Sequence, residues 1–146
     1  MKKLFLLFIL AFGGVALLPA QTAAEMDTLL NTQAVTYAQA ARFVLQAADA
    51  ATIRNPAEAF RFAQEKAWLP KGVSPETTAR LDGISLLFMH AFGIKGGILY
   101  SIFKTPHYAY RELVYRSAIQ GRVDPQMTVS GYQLIFITNR ILESNE

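Results

Sequence analysis

Two histidines, one tryptophan and no cysteine limit the chemistry open to this 146-residue chain. Without cysteine there is no thiolate nucleophile and no disulfide framework. His90 follows Met89 on an apolar stretch and His107 stands near a helix start. Neither has metal-ligand spacing to the other or to a carboxylate. Gly93-Ile94-Lys95-Gly96-Gly97 is too short to cradle a phosphate and lacks a strand before it and a helix pattern around it. No Gly-x-Ser-x-Gly elbow occurs. Glu58 and Glu65 are seven residues apart and can share a helix face, yet nothing beside them would separate their protonation as acid–base work requires. The expectation is therefore no enzyme, no cofactor and no metal.

Binding chemistry has better candidates. Arg80 is followed by Asp82, and Trp68 stands in a loop with Leu69 and Pro70. Phe103, Tyr108, Tyr110 and Tyr115 are interleaved with Lys104, Arg111 and Arg116. Aromatic faces beside cations suit sugars and peptides, since the ring supplies apolar area and the cation supplies donors. Arg80, Asp82, Trp68, Tyr110 and Arg111 are thus the candidate ligand- or partner-binding residues. Each also has a structural reading, which is favoured for the aromatics. They would fill a seam between helices with the arginines extended outward, Trp68 would anchor its loop, and Arg80 would pair with Asp82 or Glu76 at a helix start.

These residues must be carried by the segment that follows the N-terminal leader. Lys2 and Lys3 precede the apolar run 4–12, Gly13 and Gly14 interrupt it, and Pro19-Ala20 ends it. A basic start, a short apolar stretch and small residues at the cut describe a secretory signal peptide. The run falls short of the roughly 20 residues of a spanning helix. Cleavage is expected after Ala20, with Ala23 or Ala24 as alternatives, and no cysteine is present to carry a lipid. The reading is 1–20 signal peptide, 21–33 lead-in and 34–146 helical domain. The mature product would be exported to the periplasm or cell surface, with no integral membrane span. Of the 14 Lys+Arg and 11 Asp+Glu, the leader removes two cations and no acid, so the mature chain carries 12 against 11, net +1. With no basic run besides, nucleic acid is not an expected partner.

The periodicity of the mature chain is helical. Val35 onward places Ala38, Ala41, Val44, Leu45 and Ala48 at three- and four-residue steps, with Thr36 as N-cap. Pro56 is placed for the first turn of a helix to about Ala67. A third helix runs from Ser74-Pro75-Glu76 or Thr77-Thr78 to about Phe92, a fourth covers about His107 to Ala118, and the last spans about Thr128 to Leu142. Ile98-Leu99-Tyr100-Ser101-Ile102-Phe103 fits a helix or a buried loop. Gln21 to Thr32 reads as partly helical. The fold class is all-α, with four main helices and short connections.

Residues 57–92 laid over 107–142 at a constant offset of 50 keep register: Ala59 with Ala109, Phe60 with Tyr110, Arg61 with Arg111, Leu69 with Ile119 and Ile84 with Leu134. Val73-x-Pro75-x-x-Thr78 returns in the same frame as Val123-x-Pro125-x-x-Thr128. Each unit is helix, loop, helix, and needs a neighbour to bury its second face. The helix from Thr36 aligns with the second helix of each unit, Ala41 with Ile84 and Leu134, giving about two and a half units.

The pattern resembles the S-layer homology (SLH) module, a helix, a loop with Gly and Pro, and a second helix opening on a Thr-Arg-Ala-Glu-like motif. Thr36-Tyr37-Ala38-Gln39, Ala79-Arg80-Leu81-Asp82 and Val129-Ser130-Gly131-Tyr132 lie where that motif would be. The resemblance covers about 34–142 and implies modules in threes that bind cell-wall polysaccharide. Only the middle segment keeps an Arg followed by an acid. The function expected is therefore a non-enzymatic structural or interaction module docking to an envelope protein assembly. A cell-wall glycan anchor is the alternative, and a periplasmic enzyme or accessory factor using Arg80 and His90 is a third reading. Self-association or membership of a larger assembly is compatible with each.

Overall fold

The structure, a computed structural model, describes residues 17–121 and 123–145. Most of the expected signal peptide lies outside the described residues. Among these residues there are seven helices and no strand. They are α1 (Leu17–Leu30), α2 (Tyr37–Ala47), α3 (Pro56–Glu65), α4 (Leu81–Ala91), α5 (Ile98–Phe103), α6 (Pro106–Tyr115) and α7 (Gly131–Ser144). The all-α class expected from the periodicity is the class observed, with more helices than the four main ones. None is long and apolar enough to cross a membrane.

Local chemistry accounts for the helix ends. Thr36 and Ser130 close capping boxes with Gln39 and Gln133 at the starts of α2 and α7. Asn55 and Thr105 cap α3 and α6, each followed by proline at the first position. Four helices finish alike. Asp49, Ala67, Gly93 and Ser117 take positive φ after α2, α3, α4 and α6. The next residue donates its N–H back to the helix, Ala50 to Leu45, Trp68 to Ala63, Ile94 to Met89 and Ala118 to Leu113. This is the Schellman closure, which satisfies carbonyls that a helix end would leave orphaned.

The helices pack as three pairs, α2 with α3, α4 with α6 and α7 with α1. One helix of each pair, α2, α4 or α7, starts at a common centre. There the residues before the helices close a ring of backbone hydrogen bonds. Val35 N–H donates to Val129, Val129 N–H to Ala79, and Ala79 N–H to Val35, at 2.9, 3.1 and 2.8 Å. All three side chains are fully buried. Isolated antiparallel bridges, Thr36 with Thr78 and Arg80 with Thr128, flank the ring.

The proline loops serve this centre. Pro75 accepts from the N–H of Ala38 and Pro125 from that of Asp82. The shared Val-x-Pro stretch thus ties each loop to the start of another central helix. The loop also explains why α4 begins at Leu81 rather than near Ser74 or Thr77. Ser74 N–H and Oγ bond to Thr77 Oγ1 in a closed turn, so the hydroxyls expected to cap a helix stabilise a turn before it.

The offset of 50 holds at the level of elements, since Pro56–Glu65 and Pro106–Tyr115 have corresponding bounds. Ala59 and Ala109 are fully buried, and Leu69 and Ile119 nearly so. The register of the first unit is one residue from the alignment read in the sequence. Tyr37–Ala47 corresponds to Leu81–Ala91, so Ala40, rather than Ala41, matches Ile84 and Leu134. The three are fully buried, each side chain of the larger two contributing about 1.5–3 kcal/mol.

The lead-in is more than a connector. α1 runs through the expected cut after Ala20 and packs on α7, which otherwise meets only α2 among the helices with close contacts. Glu25 pairs with Arg42 of α2 at 3.0 Å. Thr32 accepts from the N–H of Gly131, and a Cβ at Gly131 would overlap the Leu29 carbonyl oxygen. A glycine is required there for α1 to approach α7.

Candidate binding surfaces

Arg80 and Asp82 stand at the start of α4, beside the central ring. Where α2 and α7 carry a hydroxyl at the N-cap, α4 carries Arg80, which makes no side-chain cap. Asp82 Oδ1 takes over, accepting the Gly83 N–H at 2.8 Å. This is the helix position that Thr36 and Ser130 satisfy in α2 and α7. Both Asp82 oxygens also receive Arg80, Nε at 3.2 Å and Nη2 at 2.6 Å, in the bidentate geometry natural to a guanidinium and a carboxylate. Hydrogen bonding and the negative charge of Asp82 raise the Arg80 pKa, so the cation stays charged. The pair is brought together as the sequence proposed, and its contacts are those of a helix start.

Tyr37, which sequence spacing alone does not mark, also belongs to this helix start. Its side chain is 1% exposed and its hydroxyl accepts from Arg80 N–H at 3.4 Å. Desolvation raises its pKa. Gly83 lies against this ring: a Cβ there would meet the Tyr37 hydroxyl and Pro70 Cγ. The capping-box glutamine of α2 and α7 becomes glycine in α4 because Tyr37 occupies the space.

Trp68 packs edge-on to Phe62 at 5.7 Å and lies flat on His90 at 5.7 Å with rings 5° apart. Lys66 Nζ reaches 5.1 Å from the Phe62 ring and 5.7 Å from the Trp68 ring. His90 sits between Trp68 and Tyr100, 6.4 Å from the latter. Burial first, and then the charge of Lys104, hold its pKa below the ordinary value. A neutral imidazole among rings is a packing element. No carboxylate among the described residues is hydrogen-bonded or ion-paired to it. Among the described residues no group of three or more His, Cys, Asp or Glu could hold a metal ion.

Tyr110 is half-buried and its hydroxyl donates to the Val123 carbonyl, fastening the second proline loop. Arg111 is exposed on α6 and makes no hydrogen bond or ion pair with Arg80, Trp68 or Tyr110. The expectation that the aromatics near the cations fill a seam holds for Tyr108 and Tyr110, which pack on the core. It fails for Phe103 and Tyr115, which are 55% and 87% exposed. Ile98–Phe103 is a helix, not a buried loop, and only Tyr100 in it is buried. Its pattern is nearly all apolar, so spacing alone gives no side that must face inward.

Two other surfaces were not anticipated. A groove of about 560 Å³, mostly apolar, lies between α1, α2 and α7, with Met26, Leu29, Phe43 and Leu142 in its walls. On α7, Tyr132 and Phe136 stack at 6.2 Å and are 62% and 40% exposed. Arg140 lies 5.8 Å over Phe136 and donates from Nε to the Ser117 carbonyl at 2.8 Å. The signal for this stripe was present in the sequence as spacing of four between the three residues.

Compared with protein families, curated proteins and solved structures, the chain shows no match in any of the three.

Proposed function

We propose that this chain is a non-enzymatic interaction module, exported to the periplasm or cell surface without a lipid anchor, that docks onto an envelope protein assembly. The observation that carries the reading is the Tyr132–Phe136–Arg140 stripe. Tyrosine and arginine are enriched at interface hot spots because they bring large contact area or directed donors at small entropic cost. Here the rings are already stacked and the arginine already held, so docking would lose little side-chain freedom. Arg80 and Asp82 at the start of α4 serve helix capping, and His90 at its end serves ring packing, so the reading rests on the exposed surface of α7. Purified protein should co-sediment with a defined envelope complex, and Tyr132→Ala or Arg140→Ala should weaken this at least ten-fold. Arg111→Ala tests the exposed cation on α6. Solubility with every envelope fraction refutes the proposal.

A second reading, a wall-glycan anchor of SLH type, draws on the three helix pairs about a backbone ring. Co-sedimentation with purified sacculi, lost in Arg80→Ala, would favour it over protein docking.

A further inference from the structure

The sequence 93–117 gathers charge of one sign around exposed apolar side chains. It contains Lys95, Lys104, Arg111 and Arg116 against one acid, Glu112, a net +3. The remainder of the chain from Gln21 carries eight cations and ten acids, a net −2. The near-neutral mature chain is therefore polarised along its sequence, with positive charge concentrated in the segment that carries α5.

α5 itself is two-sided. Tyr100 is 5% exposed and anchors the helix to the core. Ile98, Leu99, Ile102 and Phe103 fall at i, i+1, i+4 and i+5, one face of a helix, and are 79, 49, 67 and 55% exposed. The face is held in place from behind. Gly97 N–H donates to Glu112 at 2.7 Å, Arg116 donates to the Lys95 carbonyl, and Phe103 stacks on Tyr108 at 5.5 Å. The one acid of the segment is thus turned to the backbone, while Lys95 and Lys104 bracket the helix at its two ends, both exposed. Four large apolar side chains on a projecting helix cost hydration free energy if left in water.

We propose that α5 is a membrane-surface anchor that inserts Ile98, Leu99, Ile102 and Phe103 into the interfacial region of an anionic bilayer, with Lys95 and Lys104 at the headgroups. Charge complementarity selects this occupant. An apolar face rimmed by cations, with its acid withdrawn, matches the negative surface of a phospholipid leaflet. A six-residue helix cannot fold by itself on a membrane, but this one arrives already formed, so binding does not have to supply its ordering. The attachment is peripheral and independent of any protein contact through α7.

The test is flotation of the protein, expressed as the full chain and recovered in the form the cell makes, with phosphatidylcholine vesicles containing or lacking phosphatidylglycerol. Binding is expected with phosphatidylglycerol and should fall with added salt. Lys95→Gln/Lys104→Gln should weaken it roughly thirty-fold, at about a five-fold loss per cation. Ile98→Ser/Ile102→Ser should weaken it by at least about ten-fold. Both variants should melt as the parent does, because the altered side chains are exposed. No binding to phosphatidylglycerol vesicles overturns the proposal, as does binding that neither variant changes. Loss of a protein partner, rather than of vesicles, in the α5 variants would show that the face takes a protein and would equally overturn it.

Discussion

Replacing Gly83 with alanine opposes two effects of known sign. In a helix, alanine is favoured over glycine by about 1 kcal/mol, so the naive expectation for Gly83→Ala is a gain. The structure reverses it. The new Cβ would overlap the Tyr37 hydroxyl and crowd Pro70, and Tyr37 is a fully buried member of the core. Overpacking of this kind costs roughly 1–3 kcal/mol. Displacing the ring also breaks its long hydrogen bond from Arg80 N–H, worth up to about 1 kcal/mol. The net is a loss of about 0–3 kcal/mol, centred on about 1.5 kcal/mol, or roughly 5 °C in melting temperature for a domain of this size. Thermal melts followed by circular dichroism measure it. The double variant Tyr37→Phe/Gly83→Ala should recover part of the loss, because the nearest atom is gone while the ring and Pro70 remain. A higher melting temperature for Gly83→Ala alone would refute the placement of Tyr37 against α4.

Other outcomes follow from the same geometry. Gly131→Ala should detach the end of α1 from α7, raising hydrogen exchange across 22–32 while the ring at Val35, Ala79 and Val129 stays protected. Asp82→Ala removes both the Gly83 cap and the Arg80 partner and should cost about 1–2 kcal/mol by chemical denaturation, whereas Arg80→Ala, which removes only an exposed cation, should cost less than about 1 kcal/mol. Trp68→Ala should destabilise by about 2 kcal/mol and bring the His90 pKa back up toward its ordinary value, read by NMR titration. For His90 itself the folded pKa lies below the unfolded value near 6.5. The unfolded chain then binds the proton first, so stability should fall as pH drops below about 6.5, and His90→Gln should flatten that part of the profile.

The helices and several of their ends were legible because their causes are local. Thr36 followed by Gln39, and Pro56 after Asn55, contain their own capping partners within four residues. The start of α4 was misread for an equally local reason, since Ser74 and Thr77 can cap a helix or close a turn, and only the pairing of Pro75 with Ala38 selects the turn. The one-residue register of the first unit was hidden because alanines dominate α2, and Ala40 and Ala41 look alike to periodicity. The pairing of Arg80 with Asp82 could be proposed from spacing. That Asp82 substitutes for a missing cap could not, since it requires comparing three helix starts in space. The exposure of Phe103 and Tyr115 was missed because an apolar residue at the right spacing is ordinarily buried.

By itself the sequence determined the all-α class, the correspondence at an offset of 50, the lack of any thiol chemistry and the near-neutral charge after residue 20, all of which follow from residue type and short-range spacing. The tertiary structure alone decided that α1 completes the third helix pair, that Val35, Ala79 and Val129 close one ring, and that an exposed apolar face lies between Lys95 and Lys104. These join residues tens of positions apart, and the backbone hydrogen bonds and close approaches that join them leave their trace in the sequence only as single glycines, Gly83 and Gly131, whose necessity appears once a neighbour occupies the space of a side chain.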